Sequence, residues 1–261
     1  MAVTAVQGDR RSAGGSLTRP SLRLLGGFAF VSAGVEQALP RGGQRLLAYL
    51  ALQPGRQREQ VAGTLWPEVA ATRALGNLRS TLWRLSRVGV CVTDPGPSLA
   101  LPPDVEVDVH GLQRILRETR QSEFAADTHA WFWSDQAEEL LPGWYDDWVL
   151  TERERLRQAR LHVGEAMAER LCRGGRHAAA LQVALQVIAL EPLRESAHRL
   201  VIQVHLAEGN LNEAVRQYRT CCALLSAELG VGPSPLLERL VRCTPVAAAG
   251  TFPYPRLAFQ S

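Results

Sequence analysis

The second half of this chain matches itself at an offset of 34 residues, and this repeat constrains the fold more than any other feature of the sequence. The segment CRGGRHAAALQ at 172–182 aligns with LAEGNLNEAVR at 206–216, so that Gly175 falls on Gly209. This offset is the period of the tetratricopeptide repeat, in which each repeat is a helical hairpin. Because one hairpin cannot bury its apolar face alone, this half of the chain must fold as a stack of helical hairpins.

Apolar residues recur at helical spacing through the rest of this half, and glycine or proline separates one helical stretch from the next. We predict an all-α tetratricopeptide-like domain over residues 142–243 with about three helical hairpins, the first of which is an atypical unit at 144–175. Residues 244–261 contain three prolines and no periodic pattern, which predicts a flexible tail.

The first half of the chain has a different pattern. Leucine and phenylalanine fall on alternate positions in SLRLLGGFAF, which predicts short antiparallel strands. Three stretches with helical periodicity follow, QRLLAYLAL, REQVAGTLWPE and TRALGNLRSTLWRLSRV, and VCVTDPGPSLAL then predicts a β-hairpin. Strands, three helices and a hairpin follow one another in the order of a winged helix.

We therefore predict a mainly α protein, in which an α+β winged helix-turn-helix domain at residues 21–109 precedes the helical-repeat domain. Residues 1–20 are polar and predict a disordered leader rather than a signal peptide, because no apolar stretch follows the arginines. Residues 110–141 predict an acidic connecting helix and linker. No stretch is apolar enough to cross a bilayer, which predicts a cytoplasmic protein without a membrane partner.

The third helix of the winged-helix domain, at about residues 72–88, carries the strongest functional signal. Four leucines step along it by three, four and three residues, so they form one narrow stripe that must face the core: Leu75, Leu78, Leu82 and Leu85. The opposite face is polar and cationic, and this stretch of sequence contains no carboxylate. Repulsion among its arginines is tolerable if phosphates neutralise them.

The charge of the chain also changes sign between neighbouring segments. Residues 21–90 contain nine arginines and three glutamates, a net charge of +6, whereas residues 104–147 contain eleven carboxylates and three arginines, a net charge of −8. A change of this size indicates that the first segment faces a polyanion and the second does not.

A helix in the major groove can offer arginine to guanine, asparagine to adenine and an apolar surface to the thymine methyl group. The predicted base-reading residues are Asn77, Ser80, Trp83 and Arg84. The predicted phosphate contacts, where charge matters more than register, are Arg73, Arg79, Arg87, Arg58 and Arg45. The alternative interpretation of this face is a solvated or subunit-packing surface.

Other residue types exclude several chemistries. All 29 basic side chains are arginines, and without lysine neither a P-loop nor Schiff-base catalysis can be built. Five cysteines form no CxxC pair and six histidines show no metal-ligand spacing, so we predict no enzyme, no metal and no cofactor. The cysteines are expected to be reduced, buried thiols, with redox sensing by Cys221 and Cys222 as the alternative.

Two segments resemble the bacterial transcriptional activator domain of the Streptomyces antibiotic regulatory proteins (SARPs): LLPGWYDDWVLTERERLRQARLHVGEAMAERL and ALEPLRESAHRLVIQVHLAEGNLNEAVRQYRTCCALLSAELGVGPSP. LLGGFAF, QRLLAYLAL, LWPE and RALGNLRSTLWRL resemble the OmpR-type winged helix that precedes this domain in the family. The resemblance implies a cytosolic, nucleoid-associated activator that binds direct repeats in double-stranded promoter DNA as a head-to-tail homodimer. It also implies recruitment of RNA polymerase, here in control of a biosynthetic gene cluster.

The resemblance further covers the segment GWYDDW. Three aromatic residues, Trp144, Tyr145 and Trp148, are expected to pack the first repeat against the winged helix. Asp146 and Asp147 are expected to form an interdomain ion pair with arginine rather than to act in acid–base catalysis, because no partner group for catalysis accompanies them. The hairpin turn DPGPS lacks the basic residue of the usual wing, so the resemblance does not extend to a minor-groove contact there.

An interaction protein is the second class of function that the sequence allows. In that interpretation the helical repeats bind a partner peptide in a concave groove, and the winged helix docks protein rather than DNA. Footprinting distinguishes the two classes, since only a DNA-binding regulator protects direct repeats about one helical turn apart.

Overall fold

The computed structural model describes residues 19–90, 92, 98–121 and 139–242 of the chain. The described residues divide into two compact units. One comprises residues from the ranges 1–114 and 126–153, and the other comprises residues from the ranges 115–125 and 154–261. Within these described parts, none of the helices combines the length and the apolar character that a membrane crossing requires.

A four-stranded sheet opens the first unit. Its strands are β1 (Ser21–Arg23), β2 (Ala29–Ser32), β3 (Val35–Glu36) and β6 (Glu106–Val107), in the spatial order β3-β2-β1-β6. The first three strands pair antiparallel, and Leu22 lies opposite Phe30. The β6 strand pairs parallel with β1, which brings the end of the predicted winged-helix segment back to its beginning.

Three helices lie between the strands, as the sequence pattern predicts: α1 (Arg41–Leu52), α2 (Arg58–Leu65) and α3 (Ala71–Arg87). Their apolar stripes form one core, in which Leu46, Val61 and Leu78 are almost fully buried. Between α1 and α2 the short strand β4 (Arg56–Gln57) pairs antiparallel with β5 (Ser98–Leu99). Most of the predicted hairpin before β5, including the DPGPS turn except its serine, lies outside the described residues.

The helix after β6, α4 (Asp108–Gln121), begins two residues earlier than the sequence pattern predicts. Asp108 accounts for this start, because its carboxylate accepts hydrogen bonds from the backbone N–H groups of Leu24, Leu25 and Val109. Burial raises the pKa of the Asp108 carboxyl above its ordinary value, although these hydrogen bonds act in the opposite direction. Asp108 therefore ties the end of β1 to the first turn of α4.

Residues 139–153 belong to the winged-helix unit, although the sequence analysis placed 142–153 in the repeat domain. The backbone N–H of Gly26 donates to the carbonyl of Glu139, and that of Leu141 donates to the carbonyl of Leu24. The guanidinium of Arg153 donates to the carbonyls of Leu140, Leu141 and Trp144 and pairs with the carboxylate of Glu139 at 2.9 Å. These bonds join the segment to the N-terminal sheet.

Two of the three aromatic residues of GWYDDW pack within the winged-helix unit, whereas the expectation was that all three would pack the first repeat against it. The Trp144 ring stacks on Phe28 at a centroid distance of 6.0 Å, and the Trp148 ring meets Tyr49 of α1 edge to face at 5.3 Å. The prediction for Tyr145 is wrong, since 79% of this residue is exposed. Adjacent positions on an irregular segment point in different directions, and only two of these rings face α1.

The second unit is entirely helical in its described residues. It contains the end of α4, most of α5 (Asp147–Arg173), and then α6 (His177–Leu190), α7 (Glu195–Ala207), α8 (Leu211–Leu229) and α9 (Pro235–Arg242). One buried cluster joins α5, α6 and α7 through Leu161, Val187 and Ala197. A second cluster joins α7, α8 and α9 through residues that include Ile202, Cys221 and Leu237.

The 34-residue offset in the sequence corresponds to equivalent turns in the structure. Gly175 follows α5 with a φ of +72°, and Gly209 follows α7 with a φ of +76°. L-amino acids other than glycine rarely adopt this left-handed conformation. The described residues thus form two helical hairpins, α5–α6 and α7–α8, followed by the single helix α9.

Candidate nucleic-acid interface

The α3 helix presents two opposite faces. Its buried residues are Ala74, Leu78, Thr81 and Leu85. The predicted leucine stripe is therefore correct for Leu78 and Leu85, whereas Leu75 and Leu82 lie at its margin and are only partly buried. The small side chains of Ala74 and Thr81 complete the stripe, and the Thr81 hydroxyl donates to the carbonyl of Asn77, one turn earlier.

The outward face follows directly from this buried stripe. Gly76, Ser80, Trp83 and Arg87 each lie two residues after a buried position, and two residues turn a helix by about 200°. Ser80, Trp83 and Arg87 are exposed, and a Cβ atom added at Gly76 would meet nothing within 4 Å apart from its chain neighbours and the backbone of its own helix. The middle of the outward face is thus open along the helix.

Two further rows flank this outward stripe. Arg73, Asn77 and Arg84 form one flank and Arg79 forms the other; the three arginines are exposed and Asn77 is half-buried. All the predicted base-reading residues therefore lie on one accessible side of α3. Their contact with bases remains a prediction.

The charge of this face is not neutralised within the described part of the chain. No carboxylate there lies within 4.0 Å of Arg73, Arg79, Arg84 or Arg87. Many arginines elsewhere are paired, as Arg194 is with Glu165 at 2.7 Å. Because like charges on one helix repel each other, an unpaired cationic row of this kind favours an anionic partner.

Trp83 is the largest apolar group on this face, and 59% of it is exposed. The Arg87 guanidinium lies over the indole ring, 5.1 Å from its centroid, in the geometry of a cation–π contact. The Ser86 hydroxyl donates to the carbonyl of Trp83 at 2.8 Å. A tryptophan and its stacked arginine therefore occupy the last turns of α3.

Two predicted phosphate contacts lie away from α3, and they differ in their surroundings. Arg58 is the first residue of α2 and is half-buried. Arg45 of α1 is paired with Asp146 at 2.5 Å, and only 22% of its side chain is exposed. The structure therefore assigns Arg45 to an internal ion pair, and we remove it from the proposed phosphate contacts.

The same pair corrects the prediction for the two aspartates. Asp146 lies 3.9 Å from Arg41 as well as close to Arg45, and all three residues belong to the winged-helix unit rather than to separate units. The guanidinium of Arg41 also stacks on the Trp144 ring, 3.7 Å from its centroid. Asp147 is instead exposed at the first position of α5, where a carboxylate interacts favourably with the helix dipole.

Arg153 is a positioning residue that the sequence analysis missed. Its partners are mainly backbone carbonyls of residues 140–144, and a pattern of side chains cannot reveal such partners. The sequence shows it only as one of several arginines in an amphipathic helix.

The histidine and cysteine side chains described next have surroundings typical of structural residues. The His198 ring contacts the carbonyl of Pro192 at 2.8 Å and the amide of Gln217 at 2.7 Å. Burial raises the pKa of the Cys221 thiol to about 12 and also raises that of Cys222, which disfavours the reactive thiolate and redox sensing. Among the described residues, no group of histidine, cysteine or carboxylate side chains has the arrangement of a metal site. Cys91 and Cys243 lie outside those residues.

A protein-family model described as the bacterial transcriptional activator domain matches residues 109–243. The chain belongs to this family. The resemblance that the sequence analysis found is thereby confirmed, and the chain is a transcriptional regulator of the SARP type. The matched range begins within the winged-helix unit, just after β6, and continues through α9.

Two curated proteins and one solved structure resemble this member of the activator-domain family. The chain is 27% identical over 209 residues to "Regulatory protein AfsR" from Streptomyces griseus and 29% identical over 210 residues to its namesake from Streptomyces coelicolor. Both alignments cover 75% of this chain, which spans 21% of the length of either relative. The structure is Mycobacterium tuberculosis EmbR in complex with a low-affinity phosphopeptide; the match has a TM-score of 0.61 and 21% identity, and it covers 86% of this chain and 64% of EmbR. This match shows a shared fold, with a winged helix followed by a helical domain.

Proposed function

We propose that this regulator binds double-stranded promoter DNA through α3 in the major groove and activates transcription from the bound promoter. The observation that carries the proposal is the outward face of α3, which is exposed, has no carboxylate and has arginines without ion-pair partners among the described residues. A duplex supplies both the phosphates that neutralise such a row and the base edges that its other side chains can read.

The positions of the side chains on α3 divide their proposed roles. The residues on the middle turns of the outward side read bases: Asn77, Ser80, Trp83 and Arg84. The remaining arginines of α3 lie nearer the two ends of the helix or, for Arg79, on the other flank. Arg73, Arg79 and Arg87 contact phosphates, together with Arg58 at the start of α2. The open space at Gly76 allows the helix backbone to approach the floor of the groove.

The proposal extends to partners that the relatives suggest. We propose that two copies bind direct repeats head to tail and recruit RNA polymerase, that the targets include a biosynthetic gene cluster, and that the protein acts in the cytoplasm on the nucleoid. The support is membership of the activator-domain family and the similarity to two regulatory proteins from Streptomyces. Neither catalysis nor a cofactor is part of the proposed function.

Mapping of bound chromosomal sites, followed by footprinting with the full chain, tests this function. We expect protected direct repeats about one helical turn apart. The Arg84→Ala variant should lose the footprint, whereas Arg219→Ala, the same change at an exposed arginine of α8, should keep it. If both variants bind the sites as the wild type does, α3 is not the DNA-binding helix. If the wild type protects no duplex, the protein-adaptor interpretation replaces the regulator.

A further inference from the structure

We propose that Trp83 reads the C5-methyl group of a thymine in each half-site, and that Arg87 holds its indole ring in place. This inference rests on the proposed function and deepens it, because it states which chemical feature of the DNA one residue recognises. The relevant observation is an exposed tryptophan in the middle of a cationic helix face, where an apolar side chain has no role in attracting phosphates.

The exposure of Trp83 is unusual for its residue type in this protein. Among the described tryptophans, Trp144 is buried and Trp66 and Trp148 are partly buried, whereas 59% of Trp83 faces solvent. Trp83 lies diametrically opposite the buried stripe of α3, so the winged-helix core cannot cover it. Its apolar surface is therefore free to be buried by a ligand, and that burial stabilises the complex.

The major groove contains one apolar group that can make this contact. Every base presents hydrogen-bonding groups in the major groove, and thymine presents its apolar C5-methyl group in addition. An indole ring can cover a methyl group, whereas it can satisfy only one acceptor through its N–H. A tryptophan on the stripe that enters the groove is thus best matched to thymine.

The neighbours of Trp83 favour a fixed position for the ring. The Arg87 guanidinium stacks over the indole at 5.1 Å, and no described carboxylate draws Arg87 away. Ser80 lies one turn towards the N-terminus and Gly76 lies two turns away, and both are too small to shield the ring. The outward stripe therefore has one bulky apolar side chain, Trp83, next to two small residues, and a duplex can approach this part of the helix closely.

Replacement of thymine by deoxyuridine tests the inference, because it removes the methyl group and leaves base pairing unchanged. The probes are synthetic duplexes of a mapped site with single replacements, and equilibrium binding of the full chain is measured. We expect the wild type to bind about fourfold more weakly when one particular thymine of one half-site is replaced, the equivalent of losing one buried methyl group. The Trp83→Ala variant should bind the thymine site more weakly than the wild type and should not distinguish thymine from deoxyuridine at that position.

Two controls separate this contact from other effects. Tyr145→Ala removes another highly exposed aromatic side chain and should retain the full preference for thymine. Circular dichroism and thermal melting should show that Trp83→Ala folds as the wild type does, and Trp83→Phe, which keeps an apolar ring, should recover part of the preference.

Three outcomes would overturn the inference. The first is a wild type that is indifferent to every replacement while Arg84→Ala still weakens specific binding, a result that leaves the proposed function intact. The second is a Trp83→Ala variant with an undiminished preference for the same thymine. The third, failure of the wild type to bind any mapped or selected duplex, would remove the proposed function as well.

Discussion

The guanidinium of Arg45 lies 2.5 Å from the carboxylate of Asp146 and joins α1 to the segment before α5 across 101 residues of sequence. Only 22% of the arginine side chain and 15% of the aspartate side chain are exposed. Water therefore screens this pair less than it screens the surface pairs of the repeats, such as Arg216 with Glu213. Arg45 is thus engaged in an ion pair within the winged-helix unit.

Removal of this pair should destabilise the winged-helix unit. We expect Asp146→Ala to lower the free energy of unfolding by about 1–3 kcal/mol, because it leaves a poorly exposed guanidinium without its closest partner. Denaturant unfolding measures the loss, and Asp104→Ala, at an exposed position, is the control. In a double-mutant cycle with Arg45→Ala the losses should be less than additive. Full additivity would contradict a direct interaction.

The arginines of α3 should separate into two classes by their binding to DNA. Arg84→Ala should reduce the binding free energy by about 1–3 kcal/mol on the cognate site and by much less on random duplexes, because a base contact carries sequence information. Arg79→Ala should weaken both alike and reduce the slope of log K against log salt by about 0.9, because one phosphate contact is lost. Titrations at several salt concentrations measure both quantities. An unchanged salt slope for Arg79→Ala would show that this residue contacts no phosphate.

The two equivalent turn glycines should respond alike to substitution. Gly175→Ala and Gly209→Ala should each destabilise the repeat unit by about 1–2 kcal/mol, since both positions have a left-handed φ. Gly63→Ala is the matched control: this glycine lies inside α2 without a positive φ and with open space around it, so alanine should stabilise the helix by about 1 kcal/mol. Thermal unfolding of the three variants measures whether each one is more or less stable than the wild type. A neutral or stabilising effect at either turn would contradict the conformational argument.

Alkaline pH should destabilise the repeat unit through Cys221. Its pKa is about 12 in the folded chain, against an ordinary value of 9.0. Between these two pH values the unfolded chain releases the thiol proton while the folded chain keeps it. The contribution of Cys221 to the free energy of unfolding is therefore fully present below pH 9 and is lost as the pH rises towards 12. Cys221→Val, which keeps the volume, should show a smaller loss over this range in pH-dependent unfolding. An equal loss in both proteins would mean that other groups dominate.

The agreement between sequence and structure follows from the range of the interactions involved. Helix periodicity depends on neighbours within one turn, and therefore α1, α2 and α3 lie close to where the pattern predicts them. The outward position of Trp83 follows from the same geometry once the buried stripe is known. Arg45 shows the limit of this reasoning, because its partner is 101 residues away and nothing near it in the sequence indicates an ion pair.

The sequence by itself determined the two kinds of folding unit, the family, and the cationic, carboxylate-free character of α3, since periodicity, repeat offset and composition are properties of local chain. Only the tertiary structure decided that the arginines of α3 have no ion-pair partner among the described residues, that residues 139–153 complete the winged-helix unit, and that Tyr145 is exposed. The physical reason is that pairing and burial depend on distances between segments remote in the chain. Those distances exist only after the β-sheet and the helices have packed.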